Sequence, residues 1–315
     1  KTAKLCAEAF LSILGWRYAT EGHKSLDFAD SFDVLGVSFD LRRLHQGHLI
    51  IGNKPSRINQ LVQSAEALLK VRRVSASALH SFRGRLLFAY GHCMGFALRP
   101  ALSAFQKAIE SQNSPNTFTP EVERALRMTI FCLSQSKPRA ITWWDELRPI
   151  VIFTDGAGEG ESTFGLIWWD TATGERFMHD GFVPPSLVDA WHHSAGTQLT
   201  GQIELYPAII ARRNYAHKLS GRRVIMFIDN DSAREALVKA YSSSPASQAL
   251  LELVYEAELA SCTAIWFARV PSASNPADLP SRGLIREASF RFGVPYAGRI
   301  DLDPCLVRKA ACIKE

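Results

Sequence analysis

Two apolar runs in the C-terminal half of this 315-residue chain each end in an aspartate that is followed by a turn. Asp155 follows the run 151–154 and precedes a Gly-Ala-Gly segment, and Asp229 follows the run 224–228 and precedes Asn-Asp-Ser. Short apolar runs bounded by turn residues predict buried strands. We therefore expect both aspartates to project from strand ends, where a ligand can approach the backbone closely.

The elements predicted around the two aspartates follow one order along the chain. Hydrophobic periodicity predicts strands at 151–154, 164–169, 176–183, 224–228 and 264–270, and helices at 202–219, 232–241 and 247–259. Three consecutive strands followed by alternating helices and strands predict an α/β domain.

Two further acids stand at positions that the same elements would bring near the strand ends. Glu204 lies near the start of the helix predicted to pack on the sheet, and Asp278 lies just after the last strand. Asp is common at strand ends and helix N-caps, so each acid alone also has a structural reading. The order in which the four acids occur on the predicted elements favours a common functional site.

Converging carboxylates repel one another unless cations neutralise them. Hard oxygen ligands select Mg²⁺ or Mn²⁺, and two such ions about 4 Å apart can activate a water and stabilise the leaving oxygen of a phosphodiester. The chemistry indicated is hydrolysis of a nucleic-acid backbone. The candidate catalytic and metal-binding residues are Asp155, Glu204, Asp229 and Asp278.

The N-terminal half is basic and mainly helical. Residues 1–150 hold 20 Lys and Arg against 12 Asp and Glu, whereas the remainder holds 16 against 19. Such a surplus suits a phosphate backbone, although a solvated helix surface is the alternative. The candidate nucleic-acid-binding residues here close a predicted helix that begins at Pro55, and they are Lys70, Arg72 and Arg73.

Other predicted elements of this half are less regular. A β-like segment at 32–39 precedes a hairpin whose second arm is 49–51, with Gly47 in the turn. Ser75 or Ser77 can cap a following helix. The Ser-, Gln-, Asn- and Pro-rich stretch 110–120 reads as a linker.

Four segments of the C-terminal half resemble the ribonuclease H domain of retroelement reverse transcriptases. The most specific is Asn-Pro-Ala-Asp-Leu-Pro-Ser-Arg at 275–282, and its style is closest to retroelements of the tyrosine-recombinase (DIRS) type. The others are 153–156, 204–208 and 227–230. Upstream, 32–40 resembles the segment after the polymerase palm, and 54–105 resembles the thumb.

The resemblance implies an α/β fold with a ribonuclease H-like five-stranded mixed sheet and flanking helices, preceded by a mainly helical, thumb-like region with a β-hairpin. It also implies metal-dependent cleavage of the RNA strand of RNA·DNA hybrids, with the four acids as ligands of two Mg²⁺ or Mn²⁺ ions. The chain is expected to divide into four parts. Residues 1–110 form the end of the palm and the thumb-like region, 111–147 a tether with a helix, 148–290 the ribonuclease H-like domain and 291–315 a C-terminal tail.

The polymerase motif with paired aspartates is not in this chain, which begins at Lys1. We therefore expect a fragment that synthesises no DNA by itself and that has the N-terminal polymerase portion as a partner. Many family members carry a histidine on the loop before the last aspartate, and the loop 270–274 has none. This departure keeps a catalytically degenerate module, which only binds nucleic acid or supports the polymerase, as the alternative.

Two other nuclease classes fit the residues less well. A proofreading exonuclease needs an acid two positions after the first aspartate, where Ala157 stands. A transposase or integrase uses three acids, and the setting of Asp278 argues against that class.

Several polar side chains near the acids are candidate contacts to the substrate. Asn230, Ser232 and Asn275 could hydrogen-bond the backbone or a 2′-hydroxyl. Arg282 and Arg234 could hold a phosphate or pair with the carboxylates. His192 and His193 are expected on a surface loop, and the pairs Trp143-Trp144 and Trp168-Trp169 are expected to be split between core and surface.

Composition narrows the setting. The six cysteines include no CxxC pair, so neither a zinc site nor a disulfide framework is indicated. No apolar run reaches the length of a membrane helix. We expect an intracellular protein of the cytoplasm or nucleus, not a secreted one, with no membrane partner and no small-molecule cofactor.

Overall fold

The computed structural model describes residues 2–17, 29–93, 97–111, 118–142, 148–158, 160–195, 199–261 and 263–311. Its helices are α1 Thr2–Ile13, α2 Pro55–Val71, α3 Ala76–Cys93, α4 Arg99–Glu110, α5 Pro120–Gln135, α6 Pro185–Ala195, α7 Thr200–Asn214, α8 Ala216–Leu219, α9 Asp231–Lys239, α10 Pro245–Ser261, α11 Asp278–Ser281, α12 Ile285–Phe292 and α13 Pro304–Ala311. Its strands are β1 Ser31–Val34, β2 Val37–Asp40, β3 His48–Asn53, β4 Arg139–Thr142, β5 Ile150–Ala157, β6 Thr163–Asp170, β7 Arg176–Phe182, β8 Arg223–Ile228, β9 Ala264–Arg269 and β10 Tyr296–Arg299.

The N-terminal unit, made of β1 to β4 and α2 to α5, contains a four-stranded antiparallel sheet in the order β1-β2-β3-β4. The predicted hairpin of β2 and β3 is confirmed, and Gly47 has the positive φ of 80° that its turn needs. The prediction of one β segment at 32–39 is wrong, because the segment is itself a hairpin. Its turn at Leu35 and Gly36, with φ of 51° and 82°, reverses the chain so that Val34 pairs with Val37.

Helices α2 to α5 pack beside this sheet around an apolar core. Leu61 and Ala65 of α2 are buried on the predicted stripe, and Phe82 meets Phe105 edge to face at 5.7 Å between ring centroids. The hydroxyl of Ser75 accepts the backbone N–H of Ala78 and so caps α3, as one of the two predicted candidates. Helix α5 and β4 both come from the segment predicted as a tether.

The C-terminal unit, from β5 to α13, is built on a mixed sheet flanked by helices, as predicted. The strand order is β10-β7-β6-β5-β8-β9. Strands β5, β6 and β7 are antiparallel neighbours, whereas β8 and β9 continue the sheet parallel to β5. This places the C-terminal ends of β5, β8 and β9 at one edge.

Within the described residues, the sheet has six strands and not the predicted five, because β10 from the expected tail pairs parallel to β7. His179 fixes this addition, since its Nδ1 lies 2.7 Å from the carbonyl oxygen of Gly298. Side chains add to the backbone pairing, since the Tyr296 hydroxyl donates to Asp180 at 2.6 Å. The short β10 carries no apolar alternation that could have indicated a strand.

Helices cover both faces of the sheet. Helix α7 packs against β5 and β6 and contacts α10, which in turn contacts α6 and α13. Helices α11 and α12 lie on the other face, where Ala288 and Val294 pack on Ile167 and Met178. The largest fully buried side chains of this unit include Trp168, Trp191 and Tyr206.

Helix α6 replaces the predicted loop around His192 and His193. Leu187 and Trp191, one helical turn apart, are both fully buried, and they hold this short helix on the core. The two histidines lie in its last turn and are exposed. Among the helices of the described residues, none combines the length and apolarity that a membrane span requires.

Candidate metal centre

Asp155 and Asp229 lie at the same edge of the sheet, because β5 and β8 are parallel neighbours. Phe153 pairs with Phe227 in the register, and each aspartate follows two residues later. Side chains two residues apart in a strand leave the sheet on the same face. The two carboxylates are therefore brought side by side, beyond the stacked rings of Phe153 and Phe227.

Glu204 reaches this edge from the first turns of α7. A side-chain carbon at Gly156 would lie 2.6 Å from the carbonyl oxygen of Ile203 and 2.8 Å from the nitrogen of Glu204, so only glycine allows the helix to come this close. The backbone N–H of Gly156 donates to Oε2 of Glu204 at 3.1 Å. The glycine after Asp155 thus positions the third carboxylate.

The three carboxylates form a compact cluster. One oxygen each of Asp155, Glu204 and Asp229 lies within 4.8 Å of the other two. Asp155 and Glu204 are only 5% and 8% exposed. Oδ1 of Asp229 is buried, and no hydrogen-bond donor reaches it among the described residues.

Burial and mutual repulsion disfavour the charged forms of these acids. The pKa of Glu204 is raised to about 8, first by burial and then by the negative charges of Asp155 and Asp229. The pKa of Asp155 is raised to about 6, chiefly by burial, against the lowering effect of a hydrogen bond from Ser281. A divalent cation would offset the repulsion, and an all-oxygen donor set with a free buried oxygen fits Mg²⁺ or Mn²⁺.

Asp278, the fourth predicted acid, lies beside the cluster but outside the group of three. Its Oδ1 accepts from Nε of Arg282 at 2.8 Å, and both side chains are substantially exposed. Its charge still contributes to raising the pKa of Asp155. The structure thus brings three of the four predicted acids together and pairs the fourth with an arginine.

Asn275 and Ser281 hydrogen-bond the two oxygens of Asp155. Nδ2 of Asn275 donates to Oδ1 of Asp155 at 3.2 Å and to the carbonyl of Thr154 at 3.1 Å, while the Ser281 hydroxyl donates to Oδ2 at 2.5 Å. Both residues are buried. The side-chain amide of Asn275, predicted as a substrate contact, thus hydrogen-bonds Asp155 inside the site. The sequence does not indicate a role for Ser281, although the segment 275–282 that contains it carries the most specific resemblance.

The other candidates near the cluster lie on or next to α9. Asn230 caps this helix by accepting from the N–H of Ala233, and Ser232 is exposed in the first turn. Arg234 pairs with Asp231 at 3.3 Å. Along the chain, these residues follow Asp229 closely, from the next position, Asn230, to Arg234 in α9.

The basic candidates Lys70, Arg72 and Arg73 are exposed in the N-terminal unit, at the end of α2. Arg72 pairs with Glu123 at 2.6 Å. They thus belong to the N-terminal unit, whereas the acidic cluster belongs to the C-terminal unit.

Of the two tryptophan pairs, one lies within the described residues. Trp168 is buried whereas Trp169 is 47% exposed, so this pair is split between core and surface as predicted. Trp143 and Trp144 lie outside the described residues. The loop without histidine, 270–274, contains an exposed 3₁₀ turn at Ser272–Ser274.

No protein-family model and no curated protein matches the chain. Among solved structures, the chain is similar to the N-terminal RNase H domain of a Mycobacterium tuberculosis protein, solved as a fusion with maltose binding protein. The identity is 20% and the TM-score 0.31, with 46% of this chain and 98% of that structure covered. RNase H1 from the halophilic archaeon Halobacterium salinarum is similar at 18% identity and a TM-score of 0.31, with 46% and 99% covered.

Proposed function

We propose that the C-terminal unit is a metal-dependent endonuclease that hydrolyses the RNA strand of RNA·DNA hybrids. The observation that supports this most is the cluster of Asp155, Glu204 and Asp229, whose oxygens converge within 4.8 Å at the ends of two parallel strands. Like-charged groups at this spacing are costly to bury, so a site built this way is best explained by bound cations.

In this proposal the three clustered acids hold two Mg²⁺ or Mn²⁺ ions, and Asp278 completes the set when it leaves Arg282. When bound, the cations supply activation of a water and stabilisation of the leaving oxygen. The chain itself contributes orientation: the backbone N–H of Gly156 steadies Glu204, and the side chains of Asn275 and Ser281 hold Asp155.

Contacts to the nucleic acid are assigned by charge and exposure. We propose Lys70, Arg72 and Arg73 as contacts to the phosphate backbone, because each neutralised phosphate releases a counterion. Asn230 and Ser232, next to Asp229, are proposed contacts to the RNA strand. Arg282 is a proposed phosphate contact once its pair with Asp278 opens.

The wider setting is also a proposal. The sequence resemblance supports a piece of a retroelement reverse transcriptase that acts inside the cell, with the polymerase portion as its partner. The proposed division is 1–110 for the end of the palm and the thumb-like region, 111–147 for the tether, 148–290 for the nuclease and 291–315 for a C-terminal extension.

Cleavage of a labelled RNA·DNA hybrid with Mg²⁺ or Mn²⁺ tests the function. The wild-type chain should cut the RNA strand and leave duplex DNA intact, and Asp155→Asn and Asp229→Asn should each abolish cutting. Asp189→Asn is the matched control, because Asp189 is exposed on α6. Cutting that survives both site variants would contradict the proposal.

A catalytically degenerate module is the second candidate. Two observations favour it: Asp278 is paired with Arg282, and the loop 270–274 carries no histidine. Tight hybrid binding without cutting, in both metals, would support this reading.

A further inference from the structure

One chain segment carries both hydrogen-bond donors to Asp155. Asn275 reaches Oδ1 and Ser281 reaches Oδ2, so each carboxylate oxygen receives one donor from the described part of the chain. Asn275 is 5% exposed and Ser281 is 1% exposed, which keeps water from replacing either donor. Asp278 lies between them on the same segment.

The backbone of this segment is anchored to the sheet at Gly165. A side-chain carbon there would lie 2.4 Å from the carbonyl oxygen of Ala277 and 2.5 Å from the nitrogen of Ser281. The Thr163 hydroxyl donates to the carbonyl of Ser281 at 2.6 Å. Gly165 also pairs with Asp155 in the register of β5 and β6, so segment and carboxylate are fixed to the same point of the sheet.

We propose that Asn275 and Ser281 are positioning residues that hold the Asp155 carboxylate in one orientation for cation binding, an inference that rests on the proposed metal centre. A carboxylate oxygen has two lone-pair directions, and one donor per oxygen leaves one direction on each oxygen open. Fixing the rotation of the carboxylate before binding lowers the entropy cost of binding, because a freely rotating carboxylate would lose that freedom when the cation binds. Partners of this kind are typically worth 10- to 100-fold in metal affinity or activity.

The first test measures Mn²⁺ binding by electron paramagnetic resonance and calorimetry, without substrate. Ser281→Ala should bind Mn²⁺ about tenfold more weakly than wild type, and Asn275→Ala should also bind it more weakly. Ser281→Thr, which keeps the hydroxyl, should restore binding towards the wild-type value. Circular dichroism and thermal unfolding in EDTA verify that each variant folds.

The second test moves the segment without removing a donor or a ligand. Gly165→Ala should push Ala277 and Ser281 away and weaken Mn²⁺ binding in the same direction as Ser281→Ala. Gly84→Ala is the matched control, because a side-chain carbon there meets nothing within 4 Å.

The outcomes separate this inference from the proposed function. Mn²⁺ binding that depends on Asp155 but is unchanged in both Ser281→Ala and Asn275→Ala would overturn the positioning role alone. Lower unfolding temperatures in EDTA with unchanged Mn²⁺ affinity would assign both residues a structural role and would also overturn it. A wild-type chain that binds no Mn²⁺ would overturn the metal centre and this inference together.

Discussion

At the scale of single residues, the acids at the sheet edge destabilise the fold but favour cation binding. Asp155, Glu204 and Asp229 repel one another, and Oδ1 of Asp229 is buried without a donor among the described residues. Such a group destabilises the fold until a cation neutralises it. Local destabilisation of this kind is expected at a site that serves binding.

Asp229→Asn should therefore raise the unfolding temperature in EDTA by a few degrees, because it removes one member of a cluster of mutually repelling carboxyl groups. The same variant should lose the further rise that Mg²⁺ gives the wild type. Thermal unfolding with EDTA and with Mg²⁺ measures both effects, and exposed Asp189→Asn should change neither. A variant that is less stable in EDTA, or that Mg²⁺ still stabilises fully, would contradict the prediction.

The sequence indicates the acids but not the residues that hold them. Asp155 and Asp229 could be predicted because each follows an apolar strand, and parallel strands end at one edge. Ser281 could not be assigned, since its contact with Asp155 spans 126 residues and depends on how α11 packs over Gly165. Asn275 was predicted near the site, but its partner was not.

At the scale of elements, the end of the sheet opposite the acids is held by an ion pair. Arg222, just before β8, donates to both oxygens of Asp170 at 2.8 and 2.9 Å, and Asp170 also accepts from the backbone of Ala172 in the turn to β7. The guanidinium and these hydrogen bonds hold the pKa of Asp170 down, at about 2. The pair thus links the β6–β7 turn to the start of β8.

This pair should make stability depend on pH in the acid range. Because the pKa of Asp170 is lower in the folded chain, its contribution is present above the unfolded value near 4 and is lost as pH falls towards 2. Asp170→Asn should cost about 2 kcal/mol of the free energy of unfolding at pH 7 and less near pH 3. Urea unfolding at the two pH values measures the difference. Glu235→Gln, which breaks the exposed pair with Lys239, should have little effect at either pH, and an Asp170→Asn cost that does not shrink in acid would refute the argument.

Elements with strong periodicity could be predicted, and those defined by their neighbours could not. The central strands β5, β6 and β8 follow from apolar runs. Helix α6 depends on Leu187 and Trp191 meeting the core, and β10 depends on backbone pairing with β7. Tertiary contact, and not local propensity, decides such short elements.

At the scale of the whole molecule, the two units share one apolar core. Buried residues of α2 to α5 are continuous with those around α7 and α10, and α5 contacts α10. Charge, unlike the core, differs between the two parts of the chain, since Lys and Arg outnumber Asp and Glu only in the N-terminal part. The proposed function uses this division, with phosphate contacts on one unit and the carboxylate cluster on the other.

The metal centre is the central claim, and anomalous diffraction from a crystal soaked in Mn²⁺ tests it most directly. We predict anomalous density between the carboxylates of Asp155, Glu204 and Asp229, with ligand distances of about 2.1 to 2.2 Å. The same soak of Asp229→Asn should show this density weakened or lost. Density elsewhere on the chain, with none between these three acids at saturating Mn²⁺, would contradict the account.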